Sequence, residues 1–156
     1  MLYLWVKWLH VLSSTVLFGT GLGTACYKLW GDATRDVRTQ AAIMRLVVLA
    51  DYVFTTPAIL VQLATGVALA HIAGFPLTRG WVFAALVLYF AVGACWLPVV
   101  WLQIAMRQMA EDAARDDVPL PPRYARFRRW WIALGVPAFA MMLAVFYLMV
   151  FKPVLP

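Results

Sequence analysis

The sequence predicts an all-α integral membrane protein, a single bundle of four transmembrane helices, and three observations carry that prediction. Of 156 residues, 65% are hydrophobic and 13% charged, with a mean hydropathy of +0.82; a soluble domain carries about 25% charged residues. The apolar residues gather into four runs, each longer than the roughly 20 residues needed to cross hydrocarbon. Between the runs lie the segments GDATRDVR, AGFPLTRG and EDAARDDVPLPP, which hold turn formers and charge. The length suits one transmembrane domain over residues 1–156, with no soluble domain to carry chemistry outside the membrane.

The first span runs from about Tyr3 to Trp30. Its core, WVKWLHVLSSTVLFGTGLGT from Trp5 to Thr24, holds Lys7 and His10 in its outer third. A charged group at the centre of a span costs about 2.5–3.5 kcal/mol on insertion scales, so these two side chains need partners. At about 100° per residue, Lys7, His10, Ser14, Gly21, Thr24 and Lys28 fall along one stripe, interrupted by Leu17. That stripe should face protein. Gly19 and Gly23 form a GxxxG pair, which suits close approach by a helix of this bundle or of a second copy. GTGLG follows no strand, so it does not read as a phosphate loop. The run is too long for a signal peptide and lacks a small-residue cleavage site, so the helix is expected to stay in the mature protein.

The second span covers about Ala42 to Ile72 and contains ADYVFTTPAILVQLATG. Pro57 removes a backbone donor and frees a carbonyl, with Thr55 and Thr56 the nearest groups to satisfy it. Asp51, Thr55, Ala58, Gln62 and Thr65 recur at helical spacing, a second polar and small face that should meet the first. After a turn marked by Gly74, Pro76 and Gly80, the third span opens at Trp81 and runs to about Met109, with Pro98 inside it. The segment from Arg107 to Arg129 reads as a charged loop of roughly twenty residues. Arg128 and Arg129 then precede Trp130 and Trp131, an interfacial anchor, and the fourth span runs from about 129 to Phe151.

Lys28, Arg35, Arg38 and Arg45 flank the first connection, and Arg107, Arg115, Arg123, Arg126, Arg128 and Arg129 the third. Only Lys7, Arg79 and Lys152 lie at the opposite end. The positive-inside rule therefore predicts cytoplasmic first and third connections and both termini outside. The net charge of +6 is accounted for by these flanks and does not argue for nucleic acid. The lipid bilayer is the first partner, and a homodimer or a redox partner in the membrane is compatible with the apolar surface.

Lys7 and His10 sit one turn apart on one face. A neutral imidazole buried among helices suits haem iron as an axial ligand, and a cation one turn outward suits a propionate. The alternative is a Lys7 that snorkels to the headgroups and a His10 that makes a structural hydrogen bond across helices. His71 is the other histidine and a candidate second ligand, although it lies half a turn off the Gln62 face in a straight helix. Gln62 is either helix glue or a donor to a ligand, and Arg79 is a second candidate for the propionates. Asp51, a lone carboxyl inside a span, is a candidate for proton-linked work or for a structural hydrogen bond. Cys26 and Cys95 fall at different depths and have neither disulfide nor metal-ligand spacing, so they read as apolar-like thiols. No paired carboxylates, Ser-His-acid set or CxxC motif supports hydrolytic or zinc chemistry.

The stretches WVKWLHVLSSTVLFGTGLGTACY and RLVVLADYVFTTPAILVQLATG resemble the small bacterial membrane proteins of domain-of-unknown-function family 2269, over essentially the whole chain. More distantly the chain is similar to HemJ-type protoporphyrinogen oxidases and CopD-type copper-resistance domains, which share a four-helix layout. The HemJ similarity rests on Trp5, Lys7 and His10, on TxPAI at Thr55 to Ile59, on Gly66, on Gly80 with Trp81, and on FKP at Phe151 to Pro153. It implies His10 as a haem b ligand. It also implies a lysine early in the third span, where this chain has Ala84 and Ala85, and an Asn-Glu pair at the start of the fourth, where it reads RFRRWWIALGVPAF. The expectation is a b-type haem-binding protein of the bacterial inner membrane, in electron transfer or haem-linked oxidoreduction. Whether it turns over a substrate as an enzyme stays open with that lysine missing. The alternative is a cofactor-free accessory subunit or a CopD-like small-molecule or metal carrier, for which adjacent Met141 and Met142, and Met106 with Met109 on one face, speak weakly.

Overall fold

The computed structural model describes residues 1–155. Among them there is no strand, and the helices follow one another as α1 (Leu2–Thr34), α2 (Val37–Ala50), a single π turn (Asp51–Thr55), α3 (Thr56–Ile72), α4 (Gly80–Asp116) and α5 (Pro122–Phe151). α2, the π turn and α3 form one continuous rod. Four segments are therefore long and apolar enough to cross a membrane: 2–34, 37–72, 80–116 and 122–151. Helices suit this setting because they satisfy the backbone within each segment.

The helices alternate in direction. One end of the bundle collects the α1–α2 and α4–α5 connections, joined by Arg38 to Asp117 at 3.4 Å. The other collects the termini and the α3–α4 connection, where the Lys152 ammonium sits 5.8 Å from the Trp81 ring centre. These are called the arginine-rich end and the terminal end below. At the first, Arg35 in the left-handed region (φ 57°) stops α1. Asp36 then caps α2, its Oδ2 accepting from the Thr39 N–H at 2.8 Å. The Thr39 hydroxyl and amide bonds hold the Asp36 carboxyl below the usual carboxylate range.

The helices reach further toward the arginine-rich end than the apolar pattern predicts. α4 runs seven residues past Met109 instead of fraying at Arg107, and α5 begins at Pro122 instead of about 129. Charged sequence stays helical here because Arg107 pairs with Glu111 and Asp112 with Arg115 along the helix, while Ala110 and Ala113 are buried. Only Asp117 to Pro121 remain outside helix, and Pro122 enters α5 in its first turn, where a missing N–H is harmless. Lys28, counted among the loop-flanking cations, lies inside the bundle at 1% exposure.

Packing is unequal along the axis. Met44, Val99, Leu102, Met106, Ala110, Tyr124, Phe127 and Trp131 make one core of α2, α4 and α5 toward the arginine-rich end. Toward the terminal end the close backbone pairs are α1 with α3 and α4 with α5. Large side chains bridge these two pairs: Tyr89 Oη donates to the Ile59 carbonyl at 2.7 Å, and Phe18 meets the rings of Phe139 and Phe146, both at 5.5 Å. Trp5, Trp8, Trp30, Trp101 and Trp130 point outward as large exposed apolar groups. Gly19 and Gly23 touch no other helix of the chain, so the GxxxG pair does not close this bundle. Gly31 has that role instead, since a Cβ there would collide with Ile43 of α2.

Candidate functional site

His10 is placed by two facts of local structure. α1 is regular through Trp5–Thr24, so the i, i+3 spacing puts His10 and Ser13 side by side. The π turn ends before Thr56, after which α3 runs regularly and presents Gln62 and Thr65 to α1 on one face. Gly66 makes the close approach possible, because a Cβ at that position would sit 3.2 Å from His10 Cε1. The half-buried ring turns into the bundle.

Both ring nitrogens are engaged. Gln62 Nε2 lies 3.0 Å from His10 Nε2, and Thr65 Oγ1 lies 2.8 Å from His10 Nδ1. The hydrogen-bond directions follow from the ends of the chain of groups. Ser13 Oγ donates to Gln62 Oε1 at 2.6 Å, which leaves the Gln62 amide nitrogen, a pure donor, facing His10 Nε2. With the Gln62 amide nitrogen turned to His10, Nε2 accepts and Nδ1 carries the proton toward Thr65 Oγ1, while Ser13 Oγ also lies 3.0 Å from the His10 carbonyl. The Thr65 hydroxyl in turn donates to the Val61 carbonyl at 2.6 Å. In this arrangement the imidazole is neutral and its Nε2 lone pair is met by one neutral amide.

Of the other candidate binding residues named from the sequence, only Gln62 comes to His10. Lys7 is exposed, its ammonium 5.9 Å from the Tyr3 ring centre and so directed toward the N-terminus. His71 is exposed in the last turn of α3. Arg79, also exposed, lines a groove of about 170 Å³ with Phe75, Pro76, Trp81 and Leu155. Asp51 is buried at the π turn, its Oδ1 accepting from Thr55 Oγ1 at 2.9 Å. Thr55 and Thr56 both serve Asp51 and not the carbonyl that Pro57 frees, since Thr56 Oγ1 donates to the Asp51 carbonyl at 2.8 Å.

A second polar cluster escapes the sequence. Lys28 Nζ donates to Asp32 Oδ2 at 2.7 Å and lies 5.0 Å from the Trp131 ring centre and 5.5 Å from that of Tyr124. Tyr124 Oη donates to Asp32 Oδ1 at 2.8 Å, and Gln40 Nε2 to the Asp32 carbonyl at 3.3 Å. The pair thus ties α1 to α2 and α5. Its i, i+4 spacing is legible in the sequence, but Tyr124 is 92 residues from Asp32 and nothing local announces it.

Among the described residues, no three of His, Cys, Asp and Glu come together to hold a metal ion. An iron held by a macrocycle needs only one or two protein ligands, and His10 has the form such a ligand takes: one nitrogen anchored through its N–H, the other a lone-pair donor. Gln62 holds Nε2 at 3.0 Å and would have to give way for an iron to reach it.

The model of the family described as predicted integral membrane protein (DUF2269) matches residues 4–153, and the chain belongs to that family. It is an integral membrane protein that crosses the bilayer with four helices. No curated protein and no solved structure matches it.

Proposed function

We propose that the protein binds b-type haem through His10 and serves electron transfer or haem-linked oxidoreduction in the bacterial inner membrane. The observation that carries this reading is the His10 imidazole, neutral, oriented through Nδ1 by Thr65 and turned into the bundle between α1 and α3. A metal ligand needs Nε2 free of a proton and a partner for the Nδ1 N–H, and this arrangement supplies both. The looser packing of the terminal half, where side chains and not backbones bridge the two helix pairs, favours the same end of the bundle.

Haem, when bound, supplies one-electron chemistry. The chain's own residues hold and orient it. Thr65 keeps the tautomer, Gln62 cedes Nε2 and keeps an amide to donate elsewhere, and Gly66 leaves the ring its place. Lys7, Arg79 and Lys152 are the basic side chains of the terminal end and the pool from which propionates would find partners.

The test is the reduced-minus-oxidised spectrum of the full chain purified in detergent from haem-replete cells. A Soret band is expected in the wild type, lost in His10→Ala and kept in His71→Ala. Thr65→Val should keep the band and shift the midpoint potential, since the imidazole loses its acceptor. A folded wild-type protein without Soret absorbance sinks the reading.

A further inference from the structure

The π turn carries polar groups that the His10 site does not use. Thr56 N–H reaches back five residues to the Asp51 carbonyl, and Pro57 brings no N–H of its own. Such turns are frequent at functional sites because the extra residue re-aims the side chains around it. Here the Asp51 carboxyl is aimed at α4. Its Oδ2 is buried and has no hydrogen-bond partner, and the same holds for Gln103 Oε1. Both residues are more than nine-tenths buried, at 6% and 4% exposure. Together with Val48, Tyr52, Thr56 and Val100 they line a cavity of about 10 Å³, room for about one water molecule.

Three sources of hydrogen suit these acceptors: a water in the cavity, the Gln103 amide group, which lies within hydrogen-bonding reach of the carboxyl, and a proton on Asp51 itself. An ionised carboxylate has none to give, whereas a carboxylic acid has one O–H. No cation makes up the difference. On α4 the nearest charged groups are Arg107 and Glu111; Arg107 Nε is 4.0 Å from Glu111 Oε2, and Arg45 of α2 donates to Glu111 Oε1 at 3.0 Å. α1, which packs on the π turn, has no charged residue between His10 and Lys28, and only Cys26 and Tyr27 titrate there. Tyr52 is the remaining titratable neighbour, on the turn itself. Gln103, Arg107 and Glu111 recur every four residues, about 6 Å of rise per step, so a polar line runs from the arginine-rich end to the cavity.

We propose that Asp51 and Gln103 form a proton-binding site inside the membrane, in which Asp51 holds an exchangeable proton shared toward Gln103 Oε1. The proton comes from water at the arginine-rich end and returns there, and the Asp51 O–H is the only bond made or broken. The site stands whether or not haem is bound at His10. Its ligand is a proton, and Thr55 and Gln103 position the acid.

The infrared spectrum of the full chain reconstituted in liposomes at neutral pH tests this. The carbonyl stretch of a protonated carboxylic acid is expected in the wild type, shifted in D2O, and absent from Asp51→Asn, whose amide supplies the missing N–H and preserves the fold. Gln103→Leu is expected to move the band to higher frequency, because the acid loses its acceptor, and serves alone if Asp51→Asn does not fold. A folded wild type with no such band, or a band that survives in Asp51→Asn, overturns the proposal. So does a rise in unfolding temperature with sodium against choline that Asp51→Asn abolishes, which would assign the cavity to an alkali ion.

Discussion

At 1% exposure Lys28 is among the most completely enclosed side chains of the protein, and its charge is met by Asp32 at 2.7 Å and by the faces of Trp131 and Tyr124. Enclosing two charges costs solvation that their attraction only partly returns, so the pair as a whole adds little stability while the loss of one partner is severe. Lys28→Met should destabilise the protein by about 3–5 kcal/mol, the range for a buried charge left without its counterpart. The double variant Lys28→Met with Asp32→Leu should recover most of that loss. Unfolding in a detergent and denaturant titration, carried through both singles and the double, measures it; equal damage in all three would mean the pair contributes through packing alone. Similar logic separates the two polar sites of the interior. The Ser13–Gln62–His10–Thr65 chain is satisfied at every link, and Asp51 with Gln103 is not.

Among the elements, the second span departs most from a regular helix. A π turn adds a residue to one turn and so rotates everything beyond it relative to everything before. That rotation lets Asp51 face α4 while Gln62 and Thr65 face α1. The glycines of α1 show how element packing differs from motif reading. Gly31 lies where α1 and α2 approach, and Gly19 faces open space. Gly31→Val should therefore destabilise by about 1–3 kcal/mol, as overpacking does. Gly19→Ala should leave stability unchanged or raise it by about 0.5–1 kcal/mol through helix propensity. Thermal unfolding of the two variants side by side decides this, and a large loss at Gly19 would point to a partner helix against it.

For the whole molecule, the distribution of basic residues predicts an orientation: with Lys28 set aside as buried, nine arginines flank the first and third connections and three Lys and Arg lie at the opposite end. A reporter active only in the cytoplasm should be silent when fused to either terminus and active when placed between Asp117 and Pro121; the reverse pattern would refute the assignment. The four spans themselves are legible in the chain, because length and hydropathy are properties of consecutive residues and the bilayer supplies the rest of the constraint. So are His10 on α1 and the face of the second span on which Asp51, Thr55 and Thr65 recur at helical spacing. Helix ends were less so: charged sequence after Arg107 resembles a loop until ion pairs and buried alanines along one face hold it helical. By itself, then, the sequence determined that this is a four-span helical membrane protein and that His10, Asp51, Thr55 and Thr65 face inward, whereas Lys7 of the same stripe is exposed and Ser13 takes the inward place the stripe gave to Ser14. Only the tertiary structure decided what they meet: that His10 finds Gln62 and Thr65, that Lys28 and Asp32 find Tyr124, and that Asp51 is left facing Gln103. The reason is physical: inward direction follows from periodicity within one helix, whereas partners depend on the rotation and depth of a second helix, which no local spacing encodes.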